Sequence, residues 1–394
     1  MELGSITHLG SPGPRTIDLQ GAPSGANPGS RVRGSISTMS PHRLDQGRVD
    51  RLAAVLERTF DQRSAVGGIE LVRAPGRVNL IGDHTDYNDG FVLPAAVELD
   101  CWLAFRRRKD GLVRVVSTRF DRGGSFWIDD VEPAMTAGPG PARPPNPEWV
   151  RYVEAVAWSL RESGLPLQGI DGVVDSSLPM GVGLGSSAAL ELACALALIG
   201  GEHVVAAPIL AAVSHRAERE YAGFDSAGIA DQFAGAAGRE GKALLLDCRT
   251  LETKQVTLPH GLRVVVCDTG ARVARDNPVL KERRAECARA VALLSERVVG
   301  LCSLRDLDIG SLRRHRARLP DAVLRRAEHV IGENARVLDA AVALGSSDLD
   351  MIGRLFAQSH ASLRDLFEVG SPAVEAMIEI AAGVPGVVAS RMTG

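Results

Sequence analysis

No stretch of the 394 residues is apolar for long enough to cross a bilayer. The best candidate, 192–201, has ten residues and runs into Glu202 and His203, where about 20 are needed. The amino terminus lacks the continuous apolar core of a secretory signal. No C-x-x-C pair occurs among the cysteines at 101, 194, 248, 267, 287 and 302. That reads as reduced thiols of a cytoplasmic enzyme, not as a disulfide framework or a zinc site. An excess of charge of one sign is also missing. Lys and Arg number 45 against 48 Asp and Glu, a net charge of −3, which argues against a nucleic-acid binder working through bulk charge. Lysine is scarce, four against 41 arginines, and no function follows from that bias.

What is present is ordinary for a globular protein: 45% hydrophobic and 24% charged residues, which excludes a mainly disordered chain. The length suits two domains, each able to bury a core. Residues 1–42 hold 19 Gly, Pro and Ser and no periodic apolar pattern, so they are expected to be a tail. Met39 near its end is a candidate true start. The division expected is a tail over 1–45, an α+β domain over 46–225 and a second, shortened α+β domain over 226–394. No internal repeat is visible.

Apolar residues at 49, 52, 55, 56 and 60 predict a helix over 48–62. Strands are expected at 68–73, ending in a Pro-Gly turn at 75–76, and at 97–106 and 112–118. Six prolines within 132–147 predict a surface loop. A helix over 148–163, a strand over 170–174 and a buried helix over 188–199 follow. The second half predicts strands at 243–247 and 262–268, then helices at 280–299, 321–344, 348–367 and 371–382. Strands and helices in both halves indicate a two-domain α+β protein.

Two segments carry chemistry. The first reads Pro179-Met-Gly-Val-Gly-Leu-Gly-Ser-Ser-Ala-Ala-Leu-Glu191. Three glycines free the backbone to curl, and the helix that follows would aim unpaired N–H groups and its positive dipole end at an anion. Ser187 could give a hydroxyl to a magnesium ion. A Walker A loop is excluded because no lysine lies here, and the dinucleotide fingerprint fails because Ser186 stands at its third glycine. A glycine-rich turn into a core helix is the plainer reading. The second segment, Arg73 to Pro94, places Arg77, Asn79, Asp83, His84, Asp86, Tyr87, Asn88 and Asp89 within 13 positions. Carboxylates held at fixed angles could accept the hydroxyls of a polyol and separate epimers. Arg77 offers a fixed cation for phosphate or for a carboxylate.

This second segment resembles the galactokinase signature Gly-Arg-x-Asn-Leu-Ile-Gly-[Glu/Asp]-His-x-Asp-Tyr. The loop at 179–188 is similar to the Pro-x-x-x-Gly-Leu-x-Ser-Ser-Ala motif of the wider family of galactose, homoserine, mevalonate and phosphomevalonate kinases. Further matches are Gly228-Ile-Ala-Asp-Gln-Phe233, Leu244-Leu-Leu-Asp-Cys-Arg249, Glu282-Arg-Arg-Ala-Glu-Cys287, Glu333-Asn334 and Ser359-His-Ala-Ser-Leu-Arg-Asp365. The resemblance implies the two-domain fold of these kinases with the active site between the domains. It also implies transfer of phosphate from ATP to the 1-hydroxyl of D-galactose. Asp231 is then the catalytic base and Arg77 the residue that holds it ionised. Asp83, His84, Thr85 and Asp86 contact the sugar. Gly181, Val182, Gly183, Leu184, Gly185, Ser186 and Ser187 bind ATP, and Ser187 with Glu218 holds Mg2+. The plainer readings are a helix N-cap for Asp231, a solvated charge for Glu218 and buried helix contacts for 359–365. A cytoplasmic protein, monomeric in full-length form, with a small sugar as substrate and neither nucleic acid nor membrane as partner, is implied.

The match has departures. Asp83 stands for the commoner glutamate, Ala230 for methionine and Leu280 for a sugar-contacting tyrosine, and one extra residue lies within 223–228. The chain stops at Arg391-Met-Thr-Gly394, which resembles the opening of the family's third glycine-rich motif. A sheet edge left open there would lower stability or promote self-association. Two other functions stay open: a sugar-1-kinase of altered specificity, such as one for an amino sugar, and a galactose-binding sensor without turnover.

Overall fold

The computed structural model describes residues 45–61, 63–133, 146–200, 203–222, 228–271 and 277–393, with two further backbone strands at Ile6–Leu9 (β1) and Thr16–Ile17 (β2). Met39, the proline-rich stretch 134–145, the extra residue and the 225/226 boundary lie outside the described residues.

In chain order α1 (Gln46–Thr59), β3 (Ala65–Asn79), β4 (Phe91–Val92), β5 (Pro94–Arg108), β6 (Leu112–Ser117) and β7 (Gly124–Trp127) come first. Then follow α2 (Glu148–Glu162), β8 (Ile170–Ser176), α3 (Ser186–Leu198), α4 (Ala207–Arg216), α5 (Ala230–Ala237), β9 (Lys242–Asp247) and β10 (Thr253–Thr257). The remainder is helical: α6 (Pro278–Ser295), α7 (Ile309–His315), α8 (Asp321–Ser346), α9 (Leu349–Ser362) and α10 (Pro372–Ala382). Mixed helices and sheets make this an α+β protein.

One sheet has the order β2-β1-β3-β5-β8-β6-β7, and a small second sheet has the order β10-β9-β4. The long β3–β5 hairpin is the spine of the first, and β6 pairs β8 in parallel. α1 covers one face through Val49, Leu52 and Leu56. Its start is set by Asp45, whose carboxylate accepts from the Arg48 N–H at 3.0 Å. The other face packs on α2 and α3. α3 is apolar nearly all round and correspondingly buried. That core continues into α5, β9, the second half of α8 and the first half of α9, across the boundary expected at 225/226. A separate cluster joins α6, α7, the first half of α8, Leu363 and Phe367.

Several expectations need correction. The tail is not wholly without structure: the backbone of Ile6–Leu9 pairs with β3 through Ile69–Val72, completing hydrogen bonds that the edge of β3 would otherwise leave open. Pro75-Gly76 is no turn. β3 runs through it: Pro75 pairs with Asp100 and Arg77 with Ala96, so the irregularity is a bulge carried by the longer β5 segment between those partners. The strand expected at 262–268 forms no ladder among the described residues, and Val265 is 78% exposed. A valine run is only a candidate strand until another strand accepts its hydrogen bonds. α4, α5, α7 and β10 were not anticipated as elements. The helix expected over 348–367 is α9 followed by one wide π turn at Leu363–Phe367.

Candidate active site

β3 carries Arg77 to the start of α3, and backbone contact fixes it there. The Arg77 N–H donates to the Leu184 carbonyl at 3.0 Å. Its guanidinium donates through Nη1 to the Gly183 carbonyl and through Nε to Asp231 Oδ1 at 2.7 Å. Nη2 lies 2.5 Å from that same oxygen, so both nitrogens converge on Oδ1 and leave Oδ2 outside the fork. One side chain thus ties the glycine loop to an acid 154 positions away.

The loop has the geometry its glycines allow. Gly181, Gly183 and Gly185 all have φ near 70°, a region closed to most side chains. Gly185 caps α3 with no side-chain acceptor on the first turn. The N–H groups of Ser186, Ser187 and Ala188 are therefore available to an anion, beside the positive end of a 13-residue helix.

Behind the loop lies a buried chain of polar groups. The Ser187 hydroxyl donates to Glu218 Oε1 at 3.2 Å. Gln232 Nε2 donates to Glu218 Oε2 at 2.8 Å and to Glu191 Oε2 at 3.0 Å. Glu218 is 6% exposed, so the reading as a solvated charge fails. Burial, reinforced by repulsion from Asp231, pushes its carboxyl up to about 7, against the hydrogen bonds from Gln232 and Ser187. Asp231 is not a cap either. The N-cap of α5 is Ile229, and Asp231 sits in the first turn with its carboxylate on Arg77.

The third part is the loop after β3. α8 and α9 hold it from below. Glu333 accepts from the Gly82 N–H at 3.1 Å and from the Ser359 hydroxyl at 2.6 Å, while Asn334 accepts from the Phe91 N–H at 2.9 Å. His329 Nε2 meets the Asp83 carbonyl at 3.1 Å. The matches at 333–334 and Ser359 are therefore buried supports, which for Ser359 is the plainer reading.

The four expected sugar contacts divide. Asp86 lies against Gly228: a Cβ built there would fall 1.4 Å from Asp86 Oδ2. Burial pushes the Asp86 carboxyl up, opposed by Arg284 and reinforced by Asp231. The Arg284 guanidinium sits 4.2 Å over the Tyr87 ring. His84, at φ 66°, stacks on Phe367 at 4.4 Å and meets the Tyr87 hydroxyl at 3.1 Å. Desolvation lowers its pKa to about 4, so the ring is neutral. The Asp83 carboxylate is already taken by Arg391, which also donates to the Leu80 carbonyl at 2.7 Å. Desolvation would raise the Asp83 pKa, but the Arg391 charge overcomes it and holds the group low. Thr85 corrects the expectation. It is fully buried with its hydroxyl turned to the Gly82 and Phe91 carbonyls, and it shapes the loop instead of facing a ligand.

Sequence reasoning missed Glu191, Gln232, His329 and Arg391 as parts of this constellation. All but His329 lie inside quoted motifs, yet only the fold shows what they touch.

A family profile described as "Galactokinase galactose-binding signature" matches residues 57–107, and one described as "GHMP kinases N terminal domain" matches 151–239. The chain is 39% identical over 349 residues to the galactokinase of Chloroflexus aurantiacus, covering 86% of this chain and 85% of that one. It belongs to the galactokinase family. The human galactokinase is likewise 39% identical, over 89% of this chain and 87% of its own length. Among solved structures, Lactococcus lactis galactokinase in complex with galactose aligns with a TM-score of 0.77 at 29% identity, over 88% and 87% of the two chains. L. major mevalonate kinase shares the fold at a TM-score of 0.51 and 16% identity, over 84% and 85%. The glycine loop thus belongs to the wider kinase fold, and the loop after β3 to the galactokinase family.

Proposed function

We propose that the chain transfers the γ-phosphoryl group of ATP to the anomeric 1-hydroxyl of D-galactose. The observation that carries this is the Arg77 guanidinium, which joins the glycine loop at Gly183 to Asp231. This contact supports a reading in which phosphate loop and proton acceptor share one hydrogen-bonded side chain, as phosphoryl transfer requires. Asp231 takes the proton of the sugar 1-hydroxyl as that oxygen bonds to the γ-phosphorus. The bond from phosphorus to the β,γ-bridging oxygen breaks, and ADP leaves with its electrons. Arg77 keeps Asp231 ionised and faces the charge on the moving group. The exposed N–H groups of Ser186, Ser187 and Ala188, with the backbone from Gly181 to Gly185, bind the phosphates. Asp86 and His84 face the sugar, and Asp83 acts through Arg391.

A magnesium ion fits this donor set. The Ser187 hydroxyl and Glu218 carboxylate are hard oxygens 3.2 Å apart beside the phosphate loop. Two protein oxygens completed by nucleotide phosphates are the usual magnesium arrangement, not an all-protein cage. When bound, the ion neutralises phosphate charge. We place the reaction in the cytoplasm and in a single chain, which contains every residue named. A kinase of altered sugar choice is favoured by Leu280, which cannot hydrogen-bond where the family has tyrosine, and by Asp83, one methylene shorter than the family's commoner glutamate.

The test is ADP release with Mg-ATP and a panel of hexoses, with the product identified as a 1-phosphate. Turnover on galactose above all other sugars is expected. Asp231→Asn should lower kcat by about 10²- to 10⁴-fold while galactose still binds. Equal turnover by Asp231→Asn, or none by the folded parent on any sugar, would refute the reading.

A further inference from the structure

The apolar helix α3 carries one acid on a fully buried turn. Glu191 is 0% exposed, among the buried alanines, leucines and cysteine of that helix. A leucine would suit the pattern, and burying a carboxylate is costly unless its partners compensate. Its Oε2 accepts from Gln232 Nε2 at 3.0 Å, and its Oε1 is a buried acceptor without a donor. Gln232 Oε1 is a second such acceptor. A group kept under those terms needs an explanation beyond packing. The geometry offers one. The two hydrogens of a single amide nitrogen go to two carboxylates: one to Glu191, the other to Glu218 Oε2 at 2.8 Å. With Oε2 occupied, Glu218 presents Oε1 to Ser187 at 3.2 Å. Gln232 also follows Asp231 directly in the first turn of α5, so the same amide steadies the helix that bears the base.

We propose that Glu191 is a positioning residue for the metal–nucleotide site: through the Gln232 amide it fixes which oxygen the Glu218 carboxylate turns toward Ser187 and the cation. This rests on the reading of Ser187 and Glu218 as cation ligands. Without Glu191 the Gln232 amide loses one of its two acceptors and is free to rotate. A partner that orients a ligand from behind typically governs 10- to 100-fold of metal affinity. Replacement by Gln keeps an acceptor for Gln232 Nε2.

The experiment is calorimetric binding of Mn2+ to the protein saturated with a non-hydrolysable ATP analogue, alongside galactose binding and thermal melting. Glu191→Ala should weaken Mn2+ binding by 10- to 100-fold with galactose binding unchanged, and Glu191→Gln should restore it to within about threefold. Glu191→Ala that leaves Mn2+ binding intact, or that weakens galactose and Mn2+ together with a drop in Tm that Glu191→Gln does not reverse, would overturn the proposal. Since binding is read directly, loss of the inference is distinguishable from loss of the galactose assignment, which turnover on the hexose panel decides.

Discussion

Gly228→Ala tests how tightly the sugar loop and the base segment are fitted together. A Cβ at this position would lie 1.4 Å from Asp86 Oδ2 and 2.6 Å from its Cγ. Real Cβ contacts need more than 3 Å, so either the Asp86 carboxylate or the backbone leading into α5 must move by well over an ångström. Asp86 is in a crowded place, pushed toward its neutral form by burial and by Asp231 and steadied by Arg284. A hydrogen bond from a ligand hydroxyl to a charged group is worth about 1.5–3 kcal/mol, and a displacement of that size forfeits it. At about 1.4 kcal/mol per tenfold, KM for galactose should rise roughly 10- to 100-fold, with KM for ATP changed far less because the glycine loop is on another element. Steady-state ADP release at varied galactose and varied ATP measures both constants, and a melting curve confirms folding. A folded Gly228→Ala with galactose KM within threefold of the parent would refute the placement of Asp86 in the sugar site.

Three further outcomes are expected. His84 is held neutral, its pKa lowered to about 4 from an ordinary 6.5. The unfolded chain therefore binds the proton more readily, and stability present above pH 6.5 is withdrawn as pH falls toward 4, by roughly 3 kcal/mol. His84→Asn, which tolerates the φ of 66°, removes that dependence, so the parent-minus-variant difference in Tm should shrink between pH 7 and 4.5; a flat difference would contradict this. Arg391→Met strands the Asp83 carboxylate, whose pair is 5% and 14% exposed at the two side chains, and should cost about 3–5 kcal/mol. Adding Asp83→Asn should recover much of it, and additive effects in denaturant unfolding would show that the pair is not coupled. Phe367→Ala removes a fully buried ring stacked on His84 and tilted against His329; a loss of about 3–5 kcal/mol with a raised galactose KM is expected, against an unchanged KM if the stack does not steady His84.

The sequence by itself determined whatever depends on near neighbours. Three glycines before Ser186 determine a loop with φ near 70°, because only glycine enters that region cheaply. Apolar spacing determined α1, α2, α3 and α8 to within a few residues, because a helix closes its hydrogen bonds within itself. The motifs determined the family. Whatever depends on a distant partner was left to the tertiary structure. The valines at 264–266 read as a strand and remain exposed, since a strand's bonds are made by another strand. Glu218 reads as a surface charge and is buried, because α3 and α5 close over it. Thr85 reads as a sugar contact and bonds to its own loop. Asp83 reads as another, yet Arg391, 308 residues later, takes its carboxylate. Without the resemblance Asp231 reads as a cap, and it is Arg77, 154 residues away, that takes its carboxylate. Burial and charge pairing are properties of what lies across the core, and only the packed chain brings those groups within a few ångströms.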